Sequence, residues 1–68
     1  MKREEFEKLW DRPFWKGAEK TVILKHGSGI YADEYKYVNS TGINFYRHHK
    51  ICGFTQLPNV ARIEIRIN

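Results

Sequence analysis

The stretch Tyr46-Arg47-His48-His49-Lys50 concentrates more chemistry than any other part of the chain. An aromatic ring offers a stacking surface to an unpaired base, while Arg and Lys beside it neutralise phosphates and release their counterions. Tyr35, Lys36 and Tyr37 repeat this interleaving on the strand expected beside it, and Arg62 and Arg66 add positive charge further along. Tyr35, Lys36, Tyr37, Tyr46, Arg47, His48, His49, Lys50, Arg62 and Arg66 form the candidate nucleic-acid-binding set. A plainer reading stays open: strand tyrosines cover a small core with their hydroxyls in water, and a basic turn is simply solvated.

Other constellations carry less. His48, His49 and Cys52, with His26 on another turn, are ligand types that zinc prefers, but adjacent strand residues point to opposite faces and the chain has no Cys-x-x-Cys pair. No metal or other cofactor is expected. Asp33 and Glu34 are neighbours rather than a pair facing each other across a substrate. Cys52 lacks a recognisable oriented base and oxyanion site, and Gly27-Ser28-Gly29 lacks the helix and Lys-Ser/Thr of a phosphate loop. No catalytic residues are expected, and the chain reads as a non-enzyme.

Composition narrows the class. Sixty-eight residues allow one small domain, 1–68, whose core is correspondingly small. The aromatic share of 15% argues against disorder. The formal charge of +4 is unevenly placed: after residue 34, Lys36, Arg47, Lys50, Arg62 and Arg66 face only Glu64, so the whole excess belongs to the second half. A basic face of this kind attracts polyanions. The single cysteine excludes an internal disulfide, no stretch is apolar enough to span a bilayer, and no signal-peptide core follows Met1. A cytoplasmic protein without membrane association is expected.

The elements that must position these residues follow from periodicity. Phe6, Leu9 and Trp10 fall on one helical face, with acidic residues in the first turn, which predicts a helix over about residues 2–12 that Pro13 stops. Phe14 and Trp15 lie in a connector ending at Gly17 and are expected to plug one end of a sheet spanning about residues 20–67. Strands are predicted at 20–25, 30–38, 43–48 and 51–56, separated by His26-Gly27-Ser28-Gly29, Asn39-Ser40-Thr41-Gly42 and the polar tip at His48-His49-Lys50. In the second strand both faces are mixed, which predicts a bend or bulge near Asp33-Glu34 where the buried face changes. Leu57-Pro58-Asn59-Val60 reads as a turn or one 3₁₀ turn, because Pro58 lacks a donor. The last strand alternates cleanly, with Ile63, Ile65 and Ile67 inward against Arg62, Glu64 and Arg66 outward.

The expected fold is therefore mainly β, α+β: a short N-terminal helix and five antiparallel strands in a strongly bent sheet or small barrel. The order of elements, together with Gln56-Leu57-Pro58-Asn59-Val60-Ala61-Arg62-Ile63-Glu64-Ile65, resembles the small barrels of the Sm-like and SH3-like kind. That resemblance implies ring association through the last two strands and single-stranded RNA binding through loops. The matching loops depart from the pattern: Asn39 to Asn44 lacks the acidic residue and Met-Asn pair, and Leu57 to Val60 lacks the basic signature. The RNA pocket of that family is therefore not carried over.

Two functions from different classes follow. One is a binding module for single-stranded RNA or DNA through the basic and aromatic sheet face. The other is a small accessory, regulatory or inhibitory protein that docks on a larger protein through its exposed C-terminal strand edge or aromatic lid, with Trp15, Ile65 and Ile67 as contacts. A homo-oligomer formed through the same edge is compatible with both.

Overall fold

The computed structural model describes residues 1–13, 15 and 18–65. Helix α1 (Arg3–Trp10) is followed by β1 (Lys20–Leu24), β2 (Gly29–Ala32), β3 (Glu34–Tyr37), β4 (Gly42–Arg47), β5 (Lys50–Gln56), a 3₁₀ turn (Leu57–Asn59) and β6 (Val60–Ile65). The strands form two antiparallel three-stranded sheets, in the orders β2-β1-β6 and β3-β4-β5. The chain is thus mainly β with one short helix, and the expectation of five strands in one strongly bent sheet or small barrel is corrected to six strands in two sheets among the described residues.

The extra strand arises where the sequence is ambiguous. In β2 the inward residues are the even ones, Ile30 and Ala32, whereas in β3 they are the odd ones, Tyr35 and Tyr37. A strand of period two cannot change parity without a break. The break is a bend at Asp33, whose N–H donates to the Tyr46 carbonyl at 3.0 Å, so that the chain leaves one sheet and enters the other. The bend expected near Asp33-Glu34 is present, and it divides the predicted strand in two.

The core fills the space between the sheets. Val22, Leu24 and Ala32 face Ile43 and Phe45, with Leu57, Val60 and Ile63 closing one side. Helix α1 seals the remaining side with Phe6, fully buried, and Trp10, whose rings stack at 5.7 Å. Phe6 also meets Tyr35 edge-on at 5.0 Å and Phe45 at 6.1 Å. A helix of eight residues is marginal by itself. Its position is held instead by this aromatic packing, by the Tyr37 hydroxyl donating to Glu7 Oε1 at 3.0 Å, and by the Arg3 guanidinium lying 3.7 Å over the Tyr37 ring. Trp15 is half-buried against the same core, whereas Phe14 lies outside the described residues.

The turns are built as their residue types dictate. Gly27 takes φ 101°, open to glycine at no steric cost, in the turn between β1 and β2. Asn39 Oδ1 accepts from the N–H groups of Thr41 and Gly42 at 3.0 and 2.7 Å, tying the turn between β3 and β4. Pro58 sits in the 3₁₀ turn, as expected. In β6, Ile63 is buried and Ile65 half-buried while Arg62 and Glu64 are exposed; Arg66 and Ile67 lie outside the described residues.

Gly53 has a packing reason. It opposes Phe45 on the inner face of β5, and a Cβ there would lie 3.0 Å from Ile30 Cγ2 of the other sheet. Gly53→Ala is expected to cost about 1 kcal/mol, because overpacking outweighs the gain from a stiffer unfolded chain. Made beside Ile30→Ala, the same substitution is expected to cost nothing further, as urea denaturation of the four-member cycle would show.

Lys20 is the unusual core residue, 1% exposed. Its ammonium donates to the Ala18 carbonyl at 3.0 Å and lies 4.7 Å over the Trp10 ring. Burial pushes its pKa below the ordinary 10.5, with Asp11 and Asp33 partly offsetting that. The unfolded chain therefore holds this proton more tightly, and stability rises with pH through the window that ends at 10.5. Tyr35 and Tyr37 act in the opposite sense, since burial raises both above 10.0 and only the unfolded chain ionises readily there. Urea midpoints are expected to climb toward about pH 10 and fall beyond it, and Lys20→Met is expected to remove the climb while keeping the fall.

Candidate nucleic-acid interface

Antiparallel pairing assigns every residue of the second sheet to a face, since directly opposed residues share one. The pairs Tyr35↔Phe45↔Gly53 and Tyr37↔Ile43↔Thr55 look inward to the core. The alternate rows look outward: Glu34↔Tyr46↔Ile51 and Lys36↔Asn44↔Phe54, with Gly42↔Gln56 beyond them. The candidate set is thereby divided. Lys36 and Tyr46 come together on the outer face, with the Lys36 ammonium 5.8 Å from the centre of the Tyr46 ring. Tyr35 and Tyr37 are turned to the opposite side, against Phe6, Trp10 and Glu7.

Three apolar side chains that sequence reasoning missed complete the outer face. Val38, Ile51 and Phe54 are 49%, 60% and 51% exposed. A Cβ on Gly42 would lie 3.0 Å from Val38 Cγ2 and 3.1 Å from Phe54 Cε2, so both side chains border the space over this glycine. The signal available in the sequence was the parity of β5: once Phe45 and Gly53 are opposed, Phe54 must point outward. A bulge between Phe45 and Tyr46 then restores Ile51 to the same outer face.

The hairpin tip joins β4 to β5 through two residues, His48 and His49, with φ 52° and 66°. Paired left-handed residues match the twist of a two-residue hairpin. The tip is held from the bend: the His48 N–H donates to Asp33 Oδ2 at 3.3 Å, and His49 Nδ1 lies 3.1 Å from Glu34 Oε1. Arg47 leaves the platform, pairing with Glu19 at 2.6 Å, while the exposed Lys50 stands opposite it. Arg62 belongs to the other sheet, where it pairs with Glu64 at 2.9 Å. Lys36 is thus the cation of the set on the outer face, while Lys50, opposed to Arg47, is exposed on the reverse side of the sheet.

The remaining chemistry is muted. The Cys52 thiol donates to the Tyr31 carbonyl at 3.2 Å, and partial burial together with Asp33 pushes its pKa up, away from the thiolate. Among the described residues no group of three or more His, Cys, Asp and Glu side chains is placed to hold a metal ion. No described helix is long and apolar enough to cross a membrane. Both β5 and β6 lie at sheet edges, each with one neighbour among the described residues. No protein-family model matches the chain, and no curated protein or solved structure matches it significantly.

Proposed function

We propose that this protein is a small non-enzymatic module that binds single-stranded nucleic acid across the outer face of the β3-β4-β5 sheet. The observation that carries the reading is the presentation of Tyr46 and Phe54 on adjacent strands of an open sheet face, flanked by Lys36, in the half of the chain that holds its entire charge excess. Aromatic rings on a sheet take bases without regard to pairing, and flanking cations follow the backbone. A duplex hides its base faces, so single strands are the substrate. The order of elements, with a 3₁₀ turn before the last strand, is what leads us to place the chain beside the Sm-like and SH3-like proteins, and a cytoplasmic setting accords with one unpaired cysteine. Titration of a fluorescent oligonucleotide at low and at physiological salt tests the proposal, and absence of binding at low salt overturns it.

A protein partner is the second reading, favoured by a specific observation: β5 and β6 both present edges, and Ile51 and Phe54 add exposed apolar surface on the first of them. The edge of β6, with Ile65 on it, would then accept a strand from a larger protein or from a second copy. Recovery from extract of one stoichiometric protein partner, insensitive to nuclease, would favour this reading over the first.

A further inference from the structure

We infer that the contact between His49 and Glu34 is an internal stand-in for a phosphate, and that a bound single strand displaces Glu34 from the imidazole; this rests on the nucleic-acid reading above. Glu34 and Lys36 share the outer face of β3, two residues and so about 6.8 Å apart along the strand. Glu34 is directly opposite Tyr46, and the Lys36 ammonium is 5.8 Å from the centre of the same ring. A base stacked on Tyr46 therefore has both a cation and a carboxylate beside it. The phosphates that carry this base are attracted by the first and repelled by the second.

The hairpin tip supplies what the carboxylate takes away. His49 Nδ1 lies 3.1 Å from Glu34 Oε1, a distance at which a ring N–H donates to a carboxylate. The two side chains are 92% and 50% exposed, so water screens the contact and little holds it against a competing anion. A phosphodiester offers the imidazole the same kind of acceptor oxygen. On a strand already anchored by stacking, it does so at high effective concentration. The backbone of the tip marks this side chain as retained for more than the turn. His48 and His49 both hold left-handed φ, 52° and 66°, in a two-residue hairpin whose least strained second residue is glycine. An imidazole kept where a Cβ is costly points to a use for the ring. Its contact with Glu34 holds that ring at the outer face.

The test is a four-member cycle of the wild-type chain, Glu34→Ala, His49→Gly and the double variant, titrated at low salt against a fluorescent thymine nonamer of DNA. Both positions are exposed, and glycine suits the tip, so the fold is kept. Glu34→Ala is expected to tighten binding about fivefold, because the imidazole is freed and a repelling charge is removed. In the His49→Gly background the same substitution is expected to gain less than twofold, since only the repulsion remains. His49→Gly alone is expected to change affinity less than Glu34→Ala does, because the imidazole it removes is already engaged by Glu34. An equal gain from Glu34→Ala in both backgrounds assigns the effect to repulsion alone, and no gain in the wild-type background denies it any effect. Either result overturns the inference and leaves the broader reading standing. Failure of the nonamer to bind the wild-type protein overturns both.

Discussion

Phe6→Ala is expected to lower the urea midpoint of the domain more than any other single substitution in the helix. Deleting a fully buried phenylalanine removes its transfer energy and leaves a cavity, at a cost of about 3–5 kcal/mol. A domain of this size is stable by roughly 3–10 kcal/mol, taking 0.05–0.15 kcal/mol per residue, so one substitution consumes much of that margin. The loss is concentrated because Phe6 contacts Trp10, Tyr35 and Phe45 at once, linking the helix to two strands of one sheet. Urea denaturation followed by tryptophan fluorescence reports it directly, since Trp10 stacks on the deleted ring. Phe6→Leu keeps most of the volume and is expected to lose no more than about half as much. A Phe6→Ala protein that unfolds cooperatively at the wild-type midpoint would show that the helix does not contribute to the core in solution.

Replacing Tyr46 and Phe54 together by alanine is expected to weaken oligonucleotide binding by about thirtyfold or more, while the far-UV spectrum stays that of the wild type. Each stacking ring is worth about 1–3 kcal/mol toward an unpaired base, and the two act on different nucleotides. Charge reversal separates the other component of binding. Lys36→Glu is expected to flatten the dependence of log K on log salt by about 0.7, the contribution of one phosphate contact to a single strand. Arg47 is unsuited to the same experiment: it already pairs with Glu19, so Arg47→Glu would set two carboxylates together and perturb the fold as well as the ligand. Unchanged affinity in the Tyr46→Ala, Phe54→Ala protein would move the site off this face.

Side chains rather than backbone account for what the structure added to the site. Tyr35, Lys36 and Tyr37 lie on the strand beside Tyr46, as the sequence pattern anticipates, yet pairing puts two of the three on the far side of the sheet. Arg47 and Lys50 look equivalent in the sequence, and only the approach of Glu19 from the segment before β1 separates an ion-paired guanidinium from an exposed ammonium. Val38, Ile51 and Phe54 read as ordinary strand residues until the face they occupy is known to lack a cover.

Local signals in the amino-acid order determined the helix with its Phe6 and Trp10 face, the turns at Gly27 and Asn39, the 3₁₀ turn at Pro58 and the inward isoleucine of β6. Each depends on neighbours a few residues away, through helical or strand period and through backbone preference. The tertiary structure alone decided the number of strands and the makeup of the outer face. Changing parity at Asp33 sends one run of residues into two sheets, and the bulge at Cys52 sets which side of β5 meets solvent. Both depend on which distant strand supplies the opposing hydrogen bonds, a long-range choice that no local period encodes.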